Sequence, residues 1–463
     1  MKPLQDQTAL VWDNGLFVHV AIKLREKFGK VLYGGPYVNA FPKSNATLIG
    51  DGIEGIDRIL DIETWEDKAD LIVFPDVMFG PLQKRLVKAG KRVFGSRMGE
   101  NLELKRWETK ELLKRLDMPI SESHLIYGMD ALRRFLQTRK GKWWIKTSRY
   151  RGDFETFEVE DYTLAEEKLD EIEHKLGKKK RIYPFVVERD IPAIVEVGYD
   201  GWNVSGQFAK TAILGKEEKD TGLIGVIKPY DELPEAVKWV NSMLSEELRR
   251  YGYAGFWSTE VRCATVDDFD NPEPEQFEDF PMLWNKGGVV PGTDMFAYLT
   301  DPCARAASPP SELYIEWYAN WAEIMIGASE GVVVEPEPIG KWGAEIMLHS
   351  AWADGNWQAL YFPDEIKQWI KLRNMTVVDG DVCCVPQGVS LPEFGAAVAI
   401  DDDLMVALKD CKERAEAVQG YFVEAKTDAI PKALAAIQKA QQSGVDFGID
   451  ENMMAGCLQE QLP

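Results

Sequence analysis

The stretch Trp143-Trp144-Ile145-Lys146-Thr147-Ser148-Arg149-Tyr150-Arg151-Gly152-Asp153 carries the densest chemistry of the chain. An apolar strand delivers one lysine, Lys146, and runs into a short polar loop with two arginines and a glycine. These are the parts of a polyphosphate clamp. A lysine at a strand end is a fixed point charge, guanidinium groups are bidentate donors, and glycine leaves a backbone N–H open to an anion. The competing reading of Lys146 is an edge-strand lysine that lays its stem on apolar surface and keeps its ammonium in water.

The elements around this stretch follow from periodicity. Residues 9 to 95 alternate strands and helices: strands at 9–12, 29–33, 70–74 and 92–95, helices at 17–28 and 80–89. Such alternation predicts a parallel sheet covered on both faces, with ligands beyond the carboxyl ends of its strands. Asn14-Gly15 and Pro75-Asp76 occupy two such ends, and GxGxxG is absent. A charged amphipathic helix is expected over 101–116, stopped by Pro119. Strands at 124–127, 143–146 and 183–189 come next, with helices at 129–138 and 164–176. Antiparallel strands fill 193–228, a helix covers 235–251, and a buried strand covers 254–263. The acidic, proline-bearing stretch 265–282 reads as an exposed loop. A long aromatic helix is expected over 312–325, a smaller α+β unit over 332–441, and a tail over 443–463.

Composition bounds the function. The 463 residues suggest about two to four domains. Hydrophobic content of 45% fits a packed globular chain. The formal charge of −22 argues against nucleic acid as a bulk partner, whose phosphates would be repelled, but leaves room for a local basic pocket. The basic run Lys178-Lys179-Lys180-Arg181 reads as a solvated helix end after Gly177. There is no apolar stretch of the about 18 residues needed to cross a membrane, and Met1–Asp6 lacks the apolar core of a signal peptide. The six cysteines are scattered without a CxxC pair, so a reducing cytoplasm is the expected setting.

Several segments, in order, resemble the ATP-grasp ligases, and phosphoribosylamine–glycine ligase most in pattern. They are Asp70-Leu-Ile-Val-Phe74, Arg92-Val-Phe-Gly95, Leu102-Glu103-Leu104-Lys105-Arg106-Trp107-Glu108-Thr109-Lys110 and Asp117-Met118-Pro119. Asn14-Gly15 with His19 is similar to that family's first loop and helix. The resemblance implies an α/β and α+β chain with the ATP-grasp fold. It divides into a Rossmann-like pre-ATP-grasp domain over 1–99 and an ATP-grasp region over 100–331 with a lid over about 119–187. A small C-terminal α+β domain over 332–442 and a tail over 443–463 complete the chain.

The same resemblance implies ATP and Mg2+ as cofactors, with a small-molecule carboxylate and amine as substrates. The carboxylate would become an acyl phosphate before an amine displaces the phosphate, as in a purine-biosynthesis ligase. The alternative is a nucleotide-binding homologue without turnover, in a regulatory or structural role. Family positions put Lys146 on the α- and β-phosphates, Arg149, Arg151 and Gly152 in the phosphate-covering loop, and Arg106 with Lys105 on the lid side, with Lys110 as a neighbour. They make Val187 a backbone reader of adenine, put Glu188 beside its amino group, and put Glu196 on the ribose. Magnesium falls to Glu260 and Asp301, and Arg305 contacts the γ-phosphate or acyl phosphate. Glu260 lies in an otherwise apolar strand, where a carboxylate is costly unless paired or metal-bound; an ion pair with Arg262 or Arg305 is the other explanation. Cys303 stands where the family has asparagine, and a thiol is a poor magnesium ligand, so either one ligand is lost or Asn285 or water substitutes. The family's Thr-Gly-Gly-Met-Gly segment has only a loose echo in Thr221-Gly222-Leu223-Ile224-Gly225, which leaves the substrate open. The oligomeric state is open as well.

Overall fold

The computed structural model describes residues 2–36, 48–147, 156–218, 221–274, 279–386 and 392–460. Its first unit alternates β1 (Thr8–Trp12), α1 (Val18–Leu24), β2 (Lys30–Gly34), β3 (Ile56–Arg58), β4 (Leu71–Val73), α2 (Gly80–Lys88) and β5 (Val93–Phe94). The strands are parallel, in the order β3-β2-β1-β4-β5. Their near-continuous burial explains the unbroken apolar runs, since both faces are covered. The order reverses between β1 and β4, so a crevice opens beyond their carboxyl ends.

The expected helix over 101–116 is two helices, α3 (Asn101–Leu104) and α4 (Arg106–Arg115). Lys105 breaks it at φ −115°, ψ 65°, and the Thr109 hydroxyl donates to the Leu102 carbonyl at 2.8 Å. A side chain bonded to a backbone carbonyl near the break competes with the regular helix ladder. The break has a use: Glu103 and Arg106 turn toward separate partners in the sheet beyond.

The chain continues through β6 (Ile120–Tyr127), α5 (Met129–Thr138), β7 (Trp143–Lys146), β8 (Thr156–Val159), α6 (Tyr162–Leu176) and β9 (Pro184–Arg189). Next come β10 (Val195–Val204), β11 (Thr211–Glu218), β12 (Gly222–Pro229), α7 (Glu235–Tyr251), β13 (Ala254–Thr265), β14 (Met282–Asn285) and β15 (Met295–Cys303). One antiparallel sheet has the order β14-β6-β9-β7-β8 and encloses its own apolar core, including Ile126, Phe135, Trp143, Leu169 and Val187. The segment between β13 and β14 is anchored rather than simply exposed. Asn271 is buried, donates to the Asn285 carbonyl at 2.9 Å and accepts from Trp284 Nε1 at 3.0 Å.

The aromatic helix expected over 312–325 is likewise split, into α8 (Ser311–Trp317) and α9 (Trp321–Ser329). Tyr318 is extended, and the Asn320 side chain bonds Glu335 O and Glu337 N at 2.9 Å each, tying the break to the segment that follows α9. Then come β16 (Trp342–His349), β17 (Gln358–Tyr361), β18 (Ile370–Leu372), β19 (Met375–Val378), β20 (Asp381–Cys384), β21 (Glu393–Asp401), α10 (Leu404–Glu416), β22 (Gln419–Gly420), β23 (Glu424–Ala425) and α11 (Ala429–Gln442). β12 pairs with β16, so the central sheet runs β15-β13-β10-β11-β12-β16-β21-β18 across the expected division at 331/332. The region expected to be a tail carries α12 (Glu451–Glu460) and buries Val445, Phe447, Ile449 and Cys457. No helix among the described residues is long and apolar enough to cross a membrane.

Candidate active site

The site is built on one face of the central sheet. Glu260 on β13 lies opposite Asp301 on β15 and opposite Gly198 on β10. Two acids on neighbouring strands are thereby set side by side, about 5 Å apart at their Cα atoms as cross-strand pairs are. The register slips beside them, because Thr300 is an extra residue between partners Asp301 and Leu299. Bulged residues leave the ladder and re-aim the strand. The Thr300 carbonyl so released accepts from Lys146 Nζ at 2.7 Å, and its hydroxyl donates to the Glu260 carbonyl at 3.2 Å.

Basic side chains close over the acids from α4 and β7. Arg106 is buried, with Nη1 3.2 Å from Asp301 Oδ1 and Nε donating to the Thr147 carbonyl at 3.3 Å. Lys110, one helical turn on, lies 3.0 Å from Glu188 Oε2, and Lys146 reaches the same oxygen at 3.4 Å. Burial alone would raise the Glu188 carboxyl, but Lys110, Lys146 and Arg106 more than reverse it and hold it below its ordinary value. Lys110 is drawn the other way: burial lowers its ammonium more than Glu188 restores it.

The two acids at the centre differ in kind. Burial opposes ionisation of Asp301, but Arg106, Lys146 and Arg305 outweigh it and lower its pKa. Glu260 is pushed up to about 8, first by the enclosing protein, then by Asp301 and Glu196. Its side chain is nonetheless exposed. The arginines considered as partners of Glu260 are engaged by other acids. Arg262 binds Asp190 at 2.9 Å, and Arg305 Nε binds Glu103 at 2.8 Å. Glu103 also accepts from the Ala304 N–H at 2.7 Å, which fixes the strand end that carries Arg305.

The other expected residues divide. Glu196 is exposed, 3.8 Å from Lys216 and 3.9 Å from Arg262. Lys105 occupies the helix break and is exposed, whereas Lys110 is buried in the site. Val187 is a correction. It lies in a strand paired on both sides, with His124 and Ile145, so its backbone offers no free edge, and just past the strand the Asp190 N–H donates to the Lys142 carbonyl at 2.9 Å. Asn285 is also a correction. Its amide donates to Asp117 Oδ1 at 3.2 Å and to Met118 O at 2.9 Å, which pins β14 to the turn before β6 and not to the acids. Cys303 is half-buried, desolvation pushes its thiol well up, and its Sγ lies 3.7 Å from the Arg305 carbonyl. His19 is buried in α1 with its pKa lowered to about 4 by burial, away from any surface that a substrate could reach. Arg149, Arg151 and Gly152 lie outside the described residues.

Two contributors escaped the sequence reading. Glu103 looked like one more acid on a charged helix. Asp200 lies two residues beyond Gly198, on the Glu260 face of β10, and burial pushes it up to about 6. The two-residue spacing of Glu196, Gly198 and Asp200 along one strand was the available signal.

Magnesium bound through one or two carboxylates and nucleotide phosphates needs no all-protein cage. Among the described residues no cluster of three or more His, Cys, Asp or Glu side chains forms such a cage. The Glu260–Asp301 pair beside Lys146 and Arg106 fits the smaller requirement. No family model matches the chain, and no curated protein matches it. Solved structures do. Phosphoribosylamine–glycine ligase of Thermotoga maritima superposes with a TM-score of 0.64 at 14% identity, over 91% of this chain and 100% of that one. The biotin carboxylase domain of Hydrogenobacter thermophilus 2-oxoglutarate carboxylase, in complex with MgADP, ADP and bicarbonate, gives 0.58 at 12% over 95% of each chain. L-amino acid ligase of Bacillus licheniformis gives 0.54 at 13% over 91% of this chain and 100% of that one. The parallel N-terminal sheet, the five-stranded antiparallel sheet and the long antiparallel sheet are thus those of the ATP-grasp fold.

Proposed function

We propose that this chain is an ATP-dependent carboxylate–amine ligase. The observation that carries the reading is the meeting of four side chains from four separate elements. Lys146 from β7, Arg106 from α4, and Glu260 and Asp301 from the central sheet surround one cleft. In such a cleft Lys146 and Arg106 would bind the triphosphate, and Arg305 would face the transferring phosphoryl group. Glu260 and Asp301 would hold Mg2+, which neutralises phosphate charge when bound. Phosphoryl transfer asks mainly for positioning and cations, and these residues supply both. The carboxylate substrate would attack the γ-phosphate, and an amine would then displace phosphate from the acyl phosphate. The segment just beyond Arg189 would read the adenine in place of Val187.

The experiment is ADP release in the presence of Mg2+, with a panel of carboxylates and amines offered singly and in pairs. Release that requires one carboxylate and one amine together supports the reading. ATP binding without release under every pair favours a nucleotide-binding protein without turnover. Cys303 is the observation behind that second reading, because a half-buried, protonated thiol stands where a third oxygen ligand would help.

A further inference from the structure

The parallel sheet of an α/β unit commonly binds anions where strands end and helices begin, because backbone N–H groups point out there. Two such places flank the reversal of strand order, after β1 and after β4. Both are already filled by the chain itself. At the first, the buried Asp13 carboxylate accepts from the N–H groups of Asn14 at 2.7 Å, Gly15 at 3.0 Å and Phe17 at 2.9 Å. It also accepts from the Tyr33 hydroxyl at 2.9 Å. Gly15 takes φ +105°, a left-handed turn that folds those N–H groups round one oxygen pair. At the second, the buried Glu100 carboxylate accepts from the N–H groups of Phe79 and Gly80 at 2.9 Å each. A Cβ at Gly80 would come within 2.7 Å of Glu100 Oε1, so the carboxylate is seated directly on the start of α2.

We propose that Asp13 and Glu100 are built-in anions that close this crevice to phosphate, so that the ligase takes substrates without a phosphate group. This rests on the ligase reading and narrows it. Among the superposable proteins it favours the chemistry of an amino-acid ligase over that of a phosphoribosyl one. The electrostatics agree. Asp76, buried at the end of β4, accepts from Asn14 Nδ2 at 3.0 Å, and burial with this neighbouring acid pushes Asp13 up to about 6. A crevice that already strains to keep one carboxylate ionised repels a phosphate dianion.

The test has two arms on the full chain. The first measures ADP release with matched amines, serine against phosphoserine and ethanolamine against phosphoethanolamine. The inference expects the phosphorylated member to be at least tenfold poorer wherever a pair is active; equal or better use overturns it. The second measures calorimetric binding of ribose 5-phosphate and inorganic phosphate to protein saturated with a non-hydrolysable Mg-ATP analogue, so that the site at Lys146 and Arg106 is already filled. Wild type should show no saturable binding at millimolar probe, and Asp13→Gly should show it. Saturable binding to wild type overturns the inference even if Asp13→Gly does not fold. If no amine supports ADP release, the ligase reading falls, and the binding arm alone decides the inference.

Discussion

Lys110 Nζ lies 3.0 Å from Glu188 Oε2, and Lys146 Nζ lies 3.4 Å from the same oxygen. Two buried ammonium groups thus share one carboxylate, and the group keeps a net positive charge. A buried positive excess attracts an anion, and here it is fixed at the junction of linker helix and lid strand.

Lys110→Met should destabilise the protein without unfolding it. Removing one partner of a buried ion pair costs about 3–5 kcal/mol, and Lys146 remains to soften the loss. Denaturant melts should show a loss below that range, with weaker Mg-ATP binding. A melt indistinguishable from wild type would show that Lys110 is not a true partner of Glu188.

Glu260→Gln should abolish activity while stabilising the metal-free protein at high pH. The sign follows from the pKa. Glu260 moves from its ordinary 4.5 to about 8 on folding, so its cost to the fold is absent below 4.5 and complete above about 8. The melting temperature of Glu260→Gln should exceed that of wild type at pH 8, by less than an enclosed carboxylate would give because Glu260 is exposed, and the difference should vanish toward pH 4.5. A difference that is constant with pH would remove the charge explanation.

Cys303→Asn should lower the Mg2+ concentration needed for half-maximal ADP release, because an amide oxygen is a harder ligand than a thiol. Cys303→Ala should leave that concentration where it is. Equal effects of the two variants would mean that position 303 acts through packing alone.

Asn285→Ala should leave the Mg2+ requirement unchanged and cost stability instead. The amide makes two hydrogen bonds to the turn at Asp117 and Met118, each worth about 1 kcal/mol. A changed Mg2+ requirement would restore Asn285 as a metal ligand.

The parts of this architecture that local pattern encodes could be read from the chain. The buried strands of the first unit announce themselves as apolar runs, and Lys146 stands out because its strand is otherwise Trp143, Trp144 and Ile145. Glu260 stands out likewise against Phe256 and Trp257. What stayed hidden depends on partners distant in sequence. The break at Tyr318 is tied to the segment after α9, and the break at Lys105 carries a Thr109 side-chain bond to the Leu102 carbonyl that periodicity does not report. Glu188 reads as a strand acid until Lys110 and Lys146 are seen on it. Asn285 reads as a possible ligand until the Asp117 turn claims its amide. The final helix was missed because small and polar residues give α12 little amphipathic contrast.

The most direct measurement is the change in melting temperature when Mg-ATP is added to wild type and to Lys146→Ala. A ligand that binds only the folded state must raise its stability, by about 2.7 kcal/mol at a hundredfold excess over Kd. A rise of a few degrees for wild type and none for Lys146→Ala, with both apo proteins folded, is the predicted result. An equal rise in both would contradict the account, because the triphosphate would then be held somewhere other than between Lys146, Arg106 and the Glu260–Asp301 pair.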